Sequence, residues 1–253
     1  MHILLTNDDG IFAAGLAAMY KRLLTLGRVT VVAPSNVQSG AGHSISLREL
    51  TCRKLQIEGQ FTGFSVDGSP ADCVKLAVNQ IAADDPVDLV VSGLNYGANV
   101  GINVFYSGTV AGAIEAAFYN LPAIAVSAAM EESWNAEAAA DWALRVIEQI
   151  LPIEPGQVVS LNIPQLSKGA PRGVKVVEQS TSGFDESYEI LEQKEGQAVY
   201  RLAGGSHRDK HSENHWTDTT ALTAGYITLT SLRLDLTAPA GNDRLKEKKI
   251  QLK

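Results

Sequence analysis

Short apolar runs that end in polar or turn residues recur along the first 165 residues of the chain. Six runs are present, at 3–5, 29–33, 61–66, 88–92, 123–127 and 157–163. A continuous apolar run of this length, closed by glycine, proline, asparagine or aspartate, is typical of a strand that is buried on both faces. The pattern therefore predicts about six buried strands, spread over this part of the chain.

Segments with helical periodicity lie between these strands. In 13–26, Leu16, Met19, Leu23 and their neighbours recur every three or four residues, and Gly27 is predicted to end the helix. Further helices are predicted from Ser69, followed by Pro70, and over 110–119 and 136–151. Strands that alternate with helices predict an α/β fold, a three-layer sandwich with a mainly parallel sheet, over residues 1–165.

The pattern changes beyond Pro164. Strands are predicted at 174–179, 188–193 and 197–202, with Glu195 and Gly196 as the turn of a β-hairpin. A short helix at 217–222 and a strand at 226–232 follow, the strand partly returning to the core, and the charged tail from 244 is expected to fray. We expect 166–253 to be an extension with a hairpin and arm. Because an arm has little core of its own, it is expected to pack on a neighbouring subunit, so the protein is expected to be an oligomer.

Composition and charge narrow the function classes. Hydrophobic residues make up 45% and charged residues 19% of the 253 residues, as in ordinary globular proteins. The net charge is −7 with no long basic run, so binding to nucleic-acid polymers or membrane surfaces is not expected. Cys52 and Cys73 lack metal-ligand spacing and are expected to be reduced, although one disulfide stays open as an alternative. No secretory signal or membrane span is evident, and a cytoplasmic location is expected.

Two adjacent carboxylates, Asp8 and Asp9, follow directly after the first predicted strand. Ligands of open α/β sheets bind beyond the carboxyl ends of the strands, so these residues stand at a functional edge. Adjacent carboxylates repel each other, and a hard cation such as Mg²⁺ relieves this repulsion while keeping coordination positions for a phosphate. The alternative is that Asp8 and Asp9 cap the next helix or lie solvated in a turn.

Two glycine-containing loops are predicted at the same sheet edge. The loop 35–46 carries Ser39, which can offer a hydroxyl ligand, and Gly40, where backbone can approach an oxyanion; a plain flexible loop has the same composition. Asn95 lies just past the strand at 88–92. The turn 107–109 (Ser-Gly-Thr) then opens a helix, and its unpaired N–H groups and hydroxyls favour phosphate binding, with an ordinary helix cap as the alternative.

Other sequence features do not support a site. His207, His211 and His215 recur every four residues, but the residues between them are polar, which favours a solvated loop over a metal site. The sequence lacks a G-x-x-x-x-G-K-[ST] loop, an H-E-x-x-H motif and a G-x-S-x-G elbow. Asp8 and Asp9 are adjacent rather than spaced as D-x-D, which argues against a haloacid-dehalogenase-type phosphatase.

Six sequence blocks together resemble the SurE family of survival proteins, which are metal-dependent 5′/3′-nucleotidases. The blocks occur in the family's order and span nearly the whole chain: TNDDG (6–10), APSNVQSGAG (33–42), GSPADCV (68–74), DLVVSGLNYGANVG (88–101), YSGTVAGAIEA (106–116) and TDTTALTAGYITLT (217–230). The sequence departs from the family pattern at Ala14, Ser46 and Ser69, and 206–216 is unlike the usual approach to the TD motif. That last departure leaves substrate preference open.

The resemblance implies a site and an activity. It implies one Mg²⁺ or Mn²⁺ per subunit, bound by Asp8, Asp9, Ser39 and Asn95, and a phosphate pocket formed by Gly40, Asn99, Ser107, Gly108 and Thr109. It also implies a three-layer Rossmann-like sandwich with a catalytic core at 1–165, a C-terminal arm exchanged between subunits, and a homodimer or homotetramer. The implied activity is hydrolysis of nucleoside 5′- and 3′-monophosphates, with polyphosphate hydrolysis as a side reaction. Asp8 and Asp9 are the expected catalytic residues, Asp9 orienting or deprotonating water; an Asp8 nucleophile stays open. A nucleotide-binding regulatory protein without turnover is the rival interpretation.

Overall fold

The computed structural model describes residues 1–57, 59–182, 184–207 and 215–248. The strands are His2–Thr6 (β1), Arg28–Pro34 (β2), Cys52–Ile57 (β3), Phe61–Val66 (β4), Leu89–Tyr96 (β5), Ala123–Ala128 (β6), Val158–Ile163 (β7), Val174–Val176 (β8), Phe184–Lys194 (β9), Gln197–His207 (β10) and Ile227–Leu232 (β11). The helices are Ala14–Leu23 (α1), Pro70–Leu76 (α2), Gly108–Phe118 (α3), Ala136–Ile150 (α4), Asp218–Thr223 (α5) and Pro239–Glu247 (α6).

Nine of these strands form one sheet in the order β3-β4-β2-β1-β5-β6-β7-β11-β8. The pairs β4–β2, β2–β1, β1–β5, β5–β6 and β6–β7 are parallel, whereas β3 and β11 pair antiparallel with β4 and β7. The chain adds strands on one side of β1 and then returns to the other side with β5. The strand order therefore reverses between β1 and β5, which is where ligands bind in open α/β sheets.

The central strand β1 packs against helices on both faces of the sheet. Ile3 and Leu5 belong to the core on the face covered by α1 and α4, whereas Leu4 belongs to the core under α2 and α3. Successive strand residues point to opposite faces, so an uninterrupted apolar run can bury both. This arrangement confirms the predicted three-layer α/β sandwich with a mainly parallel sheet.

Several predicted boundaries were wrong. α1 ends at Leu23 rather than near residue 26, and Gly27 does not cap it. Gly27 instead lies against the chain start, where a Cβ atom would come within 2.1 Å of the Met1 carbonyl oxygen. The edge strand β3 was not predicted because most of its residues are exposed and polar. The helical residues of α2 end at Leu76 and continue as a π-helical turn, Ala77–Ile81.

The last third of the chain contributes both to the sheet and to a separate hairpin. β11 and β8 extend the main sheet, whereas β9 and β10 form a two-stranded sheet joined at the predicted turn Glu195-Gly196. Apolar side chains on this hairpin, including Tyr188, Ile190 and Tyr200, are more than half exposed. Residues 239–247 form the unpredicted helix α6, so the expectation that the tail frays from 244 was wrong for residues 244–247. His211 lies outside the described residues. Among the residues described, no helix combines the length and the apolar character needed to traverse a bilayer.

Candidate active site

The candidate site lies where the loops after β1, β2 and β5 meet at the carboxyl edge of the sheet. The three strands are neighbours in the sheet, so their following loops start side by side. The first loop is joined to the second by the backbone, because the Gln38 N–H donates to the Asp8 carbonyl oxygen at 2.7 Å and the Ile11 N–H donates to the Pro34 carbonyl oxygen at 2.9 Å. Residues far apart in sequence therefore share one cleft at the reversal point of the sheet.

Asp8 is held at the N-terminus of α3. It is only 3% exposed, and the Thr109 hydroxyl donates a hydrogen bond of 2.5 Å to Asp8 Oδ1. Gly108 lies so close that an added Cβ atom would come within 2.8 Å of the Asp8 Cβ. Ser107, the N-cap, accepts a hydrogen bond from the Val110 N–H at 3.1 Å. The structure therefore brings Ser107, Gly108 and Thr109 to Asp8, with the Thr109 hydroxyl oriented toward the carboxylate.

The close approach of α3 to the sheet depends on a second glycine. A Cβ atom at Gly112 would come within 2.9 Å of the Ser92 hydroxyl oxygen and 3.3 Å of the Thr6 methyl group. Thr6 and Ser92 lie on the paired strands β1 and β5. A larger residue would push the helix away from the two strands that lead into the cleft, so Gly112 fixes the height of the α3 N-terminus above the sheet.

Burial disfavours the charged forms of both carboxylates. Burial raises the pKa of Asp8, although hydrogen bonds from the Thr109 side chain and from the Gly108 and Thr109 backbone partly oppose the shift. The pKa of Asp9 is also raised, first by burial and then by the negative charge of Asp8. A positive charge close to the two carboxylates would favour their ionised forms and so lower both pKa values. The pair is therefore electrostatically suited to a cation.

Asp9 connects the first loop to the end of β5. The Tyr96 N–H lies 3.4 Å from Asp9 Oδ2, at the residue that follows Asn95. The Asn95 side-chain nitrogen donates to the Gly97 carbonyl oxygen at 2.6 Å, which leaves its amide oxygen as the atom suited to coordinate a cation. Asp9 therefore reaches the residue next to Asn95, and the two residues predicted from separate strands lie at the same end of β5.

The loop after β2 contributes an open edge. Ser39 and Gly40 are exposed, and Gly40 has a φ of +74° with no atom within 4 Å of a hypothetical Cβ. Glycine is therefore favoured here by backbone conformation rather than by space. Gly42 then donates its N–H to the Tyr106 carbonyl oxygen at 3.0 Å. The backbone of Gln38 therefore contacts Asp8 and that of Gly42 contacts Tyr106, and Ser39 between them is exposed.

Asn99 is placed by residues that the sequence patterns did not single out. Its N–H donates to Asn162 Oδ1 at 2.8 Å, and its side-chain nitrogen donates to the Ser127 hydroxyl at 2.8 Å. Two residues further along, the Gly101 N–H donates to buried Asp218 Oδ2 at 2.8 Å. In this arrangement the Asn99 side chain is held through one of its N–H groups, by Ser127 of β6. The available signals were a polar residue near the end of β7 and the Thr-Asp start of α5.

The chemistry of the donors fits a hard cation. The donor set consists of two carboxylates, an amide oxygen and a hydroxyl, the oxygen ligands that Mg²⁺ and Mn²⁺ prefer. The Asn7 side-chain oxygen, on the residue before Asp8, is buried and lacks a hydrogen-bond partner among the described residues. Within the described ranges, no group of three or more His, Cys, Asp or Glu side chains is arranged to hold a metal. A cation here would therefore depend on the mixed donor set.

The far end of the second loop is fixed by the capping box of α2. The Asp72 carboxylate accepts from the Ser69 N–H at 2.9 Å and from the Ser46 N–H at 3.0 Å, while the Ser69 hydroxyl accepts from the Asp72 N–H. Burial alone would raise the pKa of Asp72, but the hydrogen bonds from Ser46 and Ser69 outweigh it and lower the pKa. Asp72 thus stabilises both the helix and the loop in its ionised form.

We expect the free energy of unfolding to depend on pH in the acid range because of Asp72. Because the folded-state pKa of Asp72 is lowered, its contribution is complete above the usual aspartate pKa of about 3.9 and is lost as pH falls through the folded value. Asp72→Asn should lower the free energy of unfolding by about 1–2 kcal/mol at pH 7. Urea titrations at a series of pH values should show this difference shrinking below about pH 4.

Ser69→Ala serves as the matched control, since it removes the cap hydroxyl and keeps the carboxylate. The loss of unfolding free energy caused by Ser69→Ala should change much less between pH 7 and pH 4 than the loss caused by Asp72→Asn. If the loss of unfolding free energy in Asp72→Asn stayed constant down to pH 3, the ionised carboxylate would have no stabilising role.

The fold and the site define a doubly wound α/β protein with an acidic cleft where the strand order reverses. A family model described as Survival protein SurE matches residues 3–186. The chain belongs to the SurE family, which confirms the resemblance drawn from the sequence blocks.

Two curated relatives and one solved structure illustrate this relationship. A protein of Rhodopirellula baltica named 5'-nucleotidase SurE is 43% identical over 252 residues, covering 98% of each chain. A protein of Syntrophobacter fumaroxidans with the same name is 39% identical over 241 residues, covering 94% of this chain and 95% of the relative. The crystal structure of the Sure protein from Aquifex aeolicus matches with a TM-score of 0.84 and 35% identity, over 99% of this chain and 100% of that chain.

Proposed function

We propose that this protein is a metal-dependent phosphomonoesterase that hydrolyses nucleoside 5′-monophosphates to nucleoside and phosphate. One observation carries the proposal: buried Asp8 lies against the N-terminus of α3, with Asp9 beside it, where the strand order reverses. The names of the curated relatives, 5'-nucleotidase SurE, support the nucleotide as substrate. We also propose that the same site hydrolyses nucleoside 3′-monophosphates and polyphosphate.

The cation would be held by Asp8, Asp9, Asn95 and Ser39. When bound, Mg²⁺ or Mn²⁺ supplies positive charge that stabilises the transferring phosphoryl group and lowers the pKa of water. Asn95 presents its amide oxygen because its nitrogen is engaged by Gly97. Asp8 is the more buried carboxylate and Asp9 the less buried one. We therefore assign Asp8 as the tighter ligand.

The phosphate would lie between the α3 N-terminus and the loop that carries Ser39 and Gly40. Backbone N–H groups at a helix N-terminus favour an anion, and Gly40 leaves space for a phosphate oxygen near the exposed backbone. In the proposed reaction, a water oxygen attacks phosphorus and the bond to the nucleoside oxygen breaks. Asp9 is assigned to orient this water and to accept its proton, because it is the less buried of the two carboxylates and so the more accessible one from the cleft.

Phosphate release tests the proposal directly. The purified protein, depleted of metal by chelation, would be incubated with AMP, GMP, 3′-AMP and tripolyphosphate, alone and with added Mg²⁺ or Mn²⁺. We expect release from the nucleoside 5′-monophosphates, loss of release on chelation, and restoration by at least one of the two ions. Release from 3′-AMP or tripolyphosphate would set the breadth of the substrate range.

The same samples separate an enzyme from a nucleotide-binding regulatory protein. Calorimetric titration with AMP in the presence of each ion measures binding without relying on turnover. Tight binding with no phosphate release would overturn the hydrolase assignment and favour the regulatory protein. Undiminished release after complete removal of divalent ions would overturn the metal dependence while leaving the hydrolase in place.

A further inference from the structure

A buried carboxylate outside the proposed catalytic set joins three elements beside the cleft. Glu115 lies on α3, two turns beyond the helix N-terminus, and its side chain is only 4% exposed. His43 Nε2 lies 2.8 Å from Glu115 Oε2, and Lys75 Nζ of α2 donates to Glu115 Oε1 at 3.0 Å. The three residues thus link the loop after β2, helix α2 and helix α3.

The Glu115 carboxylate is stabilised in its charged form by these two partners. Burial alone would raise its pKa, but the hydrogen bonds and positive charges of His43 and Lys75 outweigh burial and lower the pKa. A carboxylate this buried is costly unless it is paired. Glu115 is therefore an ionised acceptor at neutral pH, and a hydrogen bond to such an acceptor is stronger than one between neutral groups.

His43 lies on the same loop as Ser39 and Gly40, four residues beyond Ser39. Its ring stacks on Phe118 of α3, with ring centroids 5.5 Å apart and an interplanar angle of 8°. The preceding residue, Gly42, donates its N–H to the Tyr106 carbonyl oxygen. Gly42 therefore attaches the loop to Tyr106, just before α3, and His43 attaches it to α3 itself. Both residues follow shortly after the exposed residues 39 and 40.

We propose that His43 is a positioning residue, which holds the loop carrying Ser39 and Gly40 at a fixed distance from the N-terminus of α3. The inference rests on the proposed function, because that distance matters only if the two elements enclose a phosphate. The hydrogen bond to Glu115 sets the distance, and the contact with Phe118 sets the orientation of the ring. Lys75 holds the Glu115 carboxylate through the other carboxylate oxygen, Oε1.

Truncation of His43 should leave the fold intact. Its side chain is 30% exposed, and it borders a cavity of about 690 Å³ that Ser107 and Phe118 also line. Removal of the ring therefore enlarges an existing space rather than opening a void in the closed core. The Glu115 carboxylate keeps Lys75 as its partner in such a variant.

The test compares His43→Ala and His43→Gln with a control. Glutamine can place a nitrogen donor near the position of the imidazole Nε2, so it should restore the hydrogen bond without the ring. Arg48→Ala is the matched control, because Arg48 lies in the same connection but pairs with Asp67, away from α3. Three quantities are measured: kcat and KM for AMP with Mg²⁺, the Kd for inorganic phosphate, and amide hydrogen exchange over residues 38–44.

We expect His43→Ala to raise KM and the phosphate Kd by about tenfold, because it removes one charge-assisted hydrogen bond. The change in kcat should be smaller. His43→Gln should recover most of the affinity, and Arg48→Ala should match the parent protein. Exchange over residues 38–44 should be faster in His43→Ala than in either of the others, because that variant alone lacks the hydrogen bond.

Unchanged affinity and unchanged exchange in His43→Ala would overturn the proposal. A glutamine variant as impaired as the alanine variant would also overturn it, since packing on Phe118 alone would then explain the loss. The phosphate titration and the exchange experiment do not require turnover. If the parent protein releases no phosphate from any monoester, the hydrolase assignment fails, whereas weaker phosphate binding and faster exchange in His43→Ala would still support the positioning role.

Discussion

Asp8→Asn is expected to reduce phosphate release from AMP by about 10³-fold or more while leaving the protein folded. Asparagine preserves the size of the side chain and its contact with Thr109, but it removes the negative charge that would hold the cation. The charged form of Asp8 is disfavoured by burial, which raises its pKa. Without a cation, the neutral variant should therefore be at least as stable as the parent protein at pH 7, as often holds for residues kept for function.

The measurements are kcat/KM with Mg²⁺ and the thermal unfolding midpoint after chelation. Asp141→Asn is a suitable control, because it makes the same substitution at an exposed residue of α4 that pairs with Arg22. The control should keep its activity. An Asp8→Asn variant with more than a tenth of the parent activity would remove Asp8 from the mechanism.

Gly108→Ala is expected to have the second largest effect, through geometry rather than charge. The added Cβ atom would come within 2.8 Å of the Asp8 Cβ and 3.2 Å of the Pro70 Cγ. Both neighbours are buried, so Asp8 or the α3 N-terminus must move. A displacement of about 1 Å in a catalytic group can cost about 10²-fold in rate, and forced packing of this kind costs about 1–3 kcal/mol of stability.

Activity toward AMP and the urea midpoint would measure the two losses. Gly241→Ala in α6 is the matched glycine control, because its nearest neighbour would be the Ala238 Cβ at an ordinary 3.5 Å. That control should leave activity unchanged and slightly favour the helix. Near-normal activity in Gly108→Ala would mean that Asp8 and α3 do not need a fixed separation.

The fold class could be predicted from sequence because its central strands are buried on both faces. Uninterrupted apolar runs such as residues 3–5 identify these strands without tertiary information. The edge strand β3 has no such signal, since four of its six residues are exposed, even though it pairs with the strand that follows it directly, β4. The ends of α1 were misjudged for a related reason, because Gly27 is required by its contact with Met1 rather than by a helix cap.

The site was only partly accessible from sequence. Carboxylates after one strand and a Ser-Gly-Thr helix start after another could be assigned to one sheet edge by the rule for parallel strands. The supporting contacts could not, because they join residues that no local pattern connects. Asn162 at the end of β7 and Asp218 at the start of α5 hold the loop around Asn99, and Glu115 meets His43 across 72 positions. The roles of the individual site residues stay predictions.

The central position of β1 has a consequence for how the chain acquires its structure. Ile3 pairs with Val29 on one side and with Leu89 on the other. Because β1 precedes both of its partners in the chain, roughly ninety further residues must be synthesised before both of its hydrogen-bonding edges are satisfied, and such non-local parallel pairing is slow. During that interval the apolar segment that precedes Asp8 is open to wrong partners, so the nascent protein should be most vulnerable to aggregation before its fifth strand leaves the ribosome.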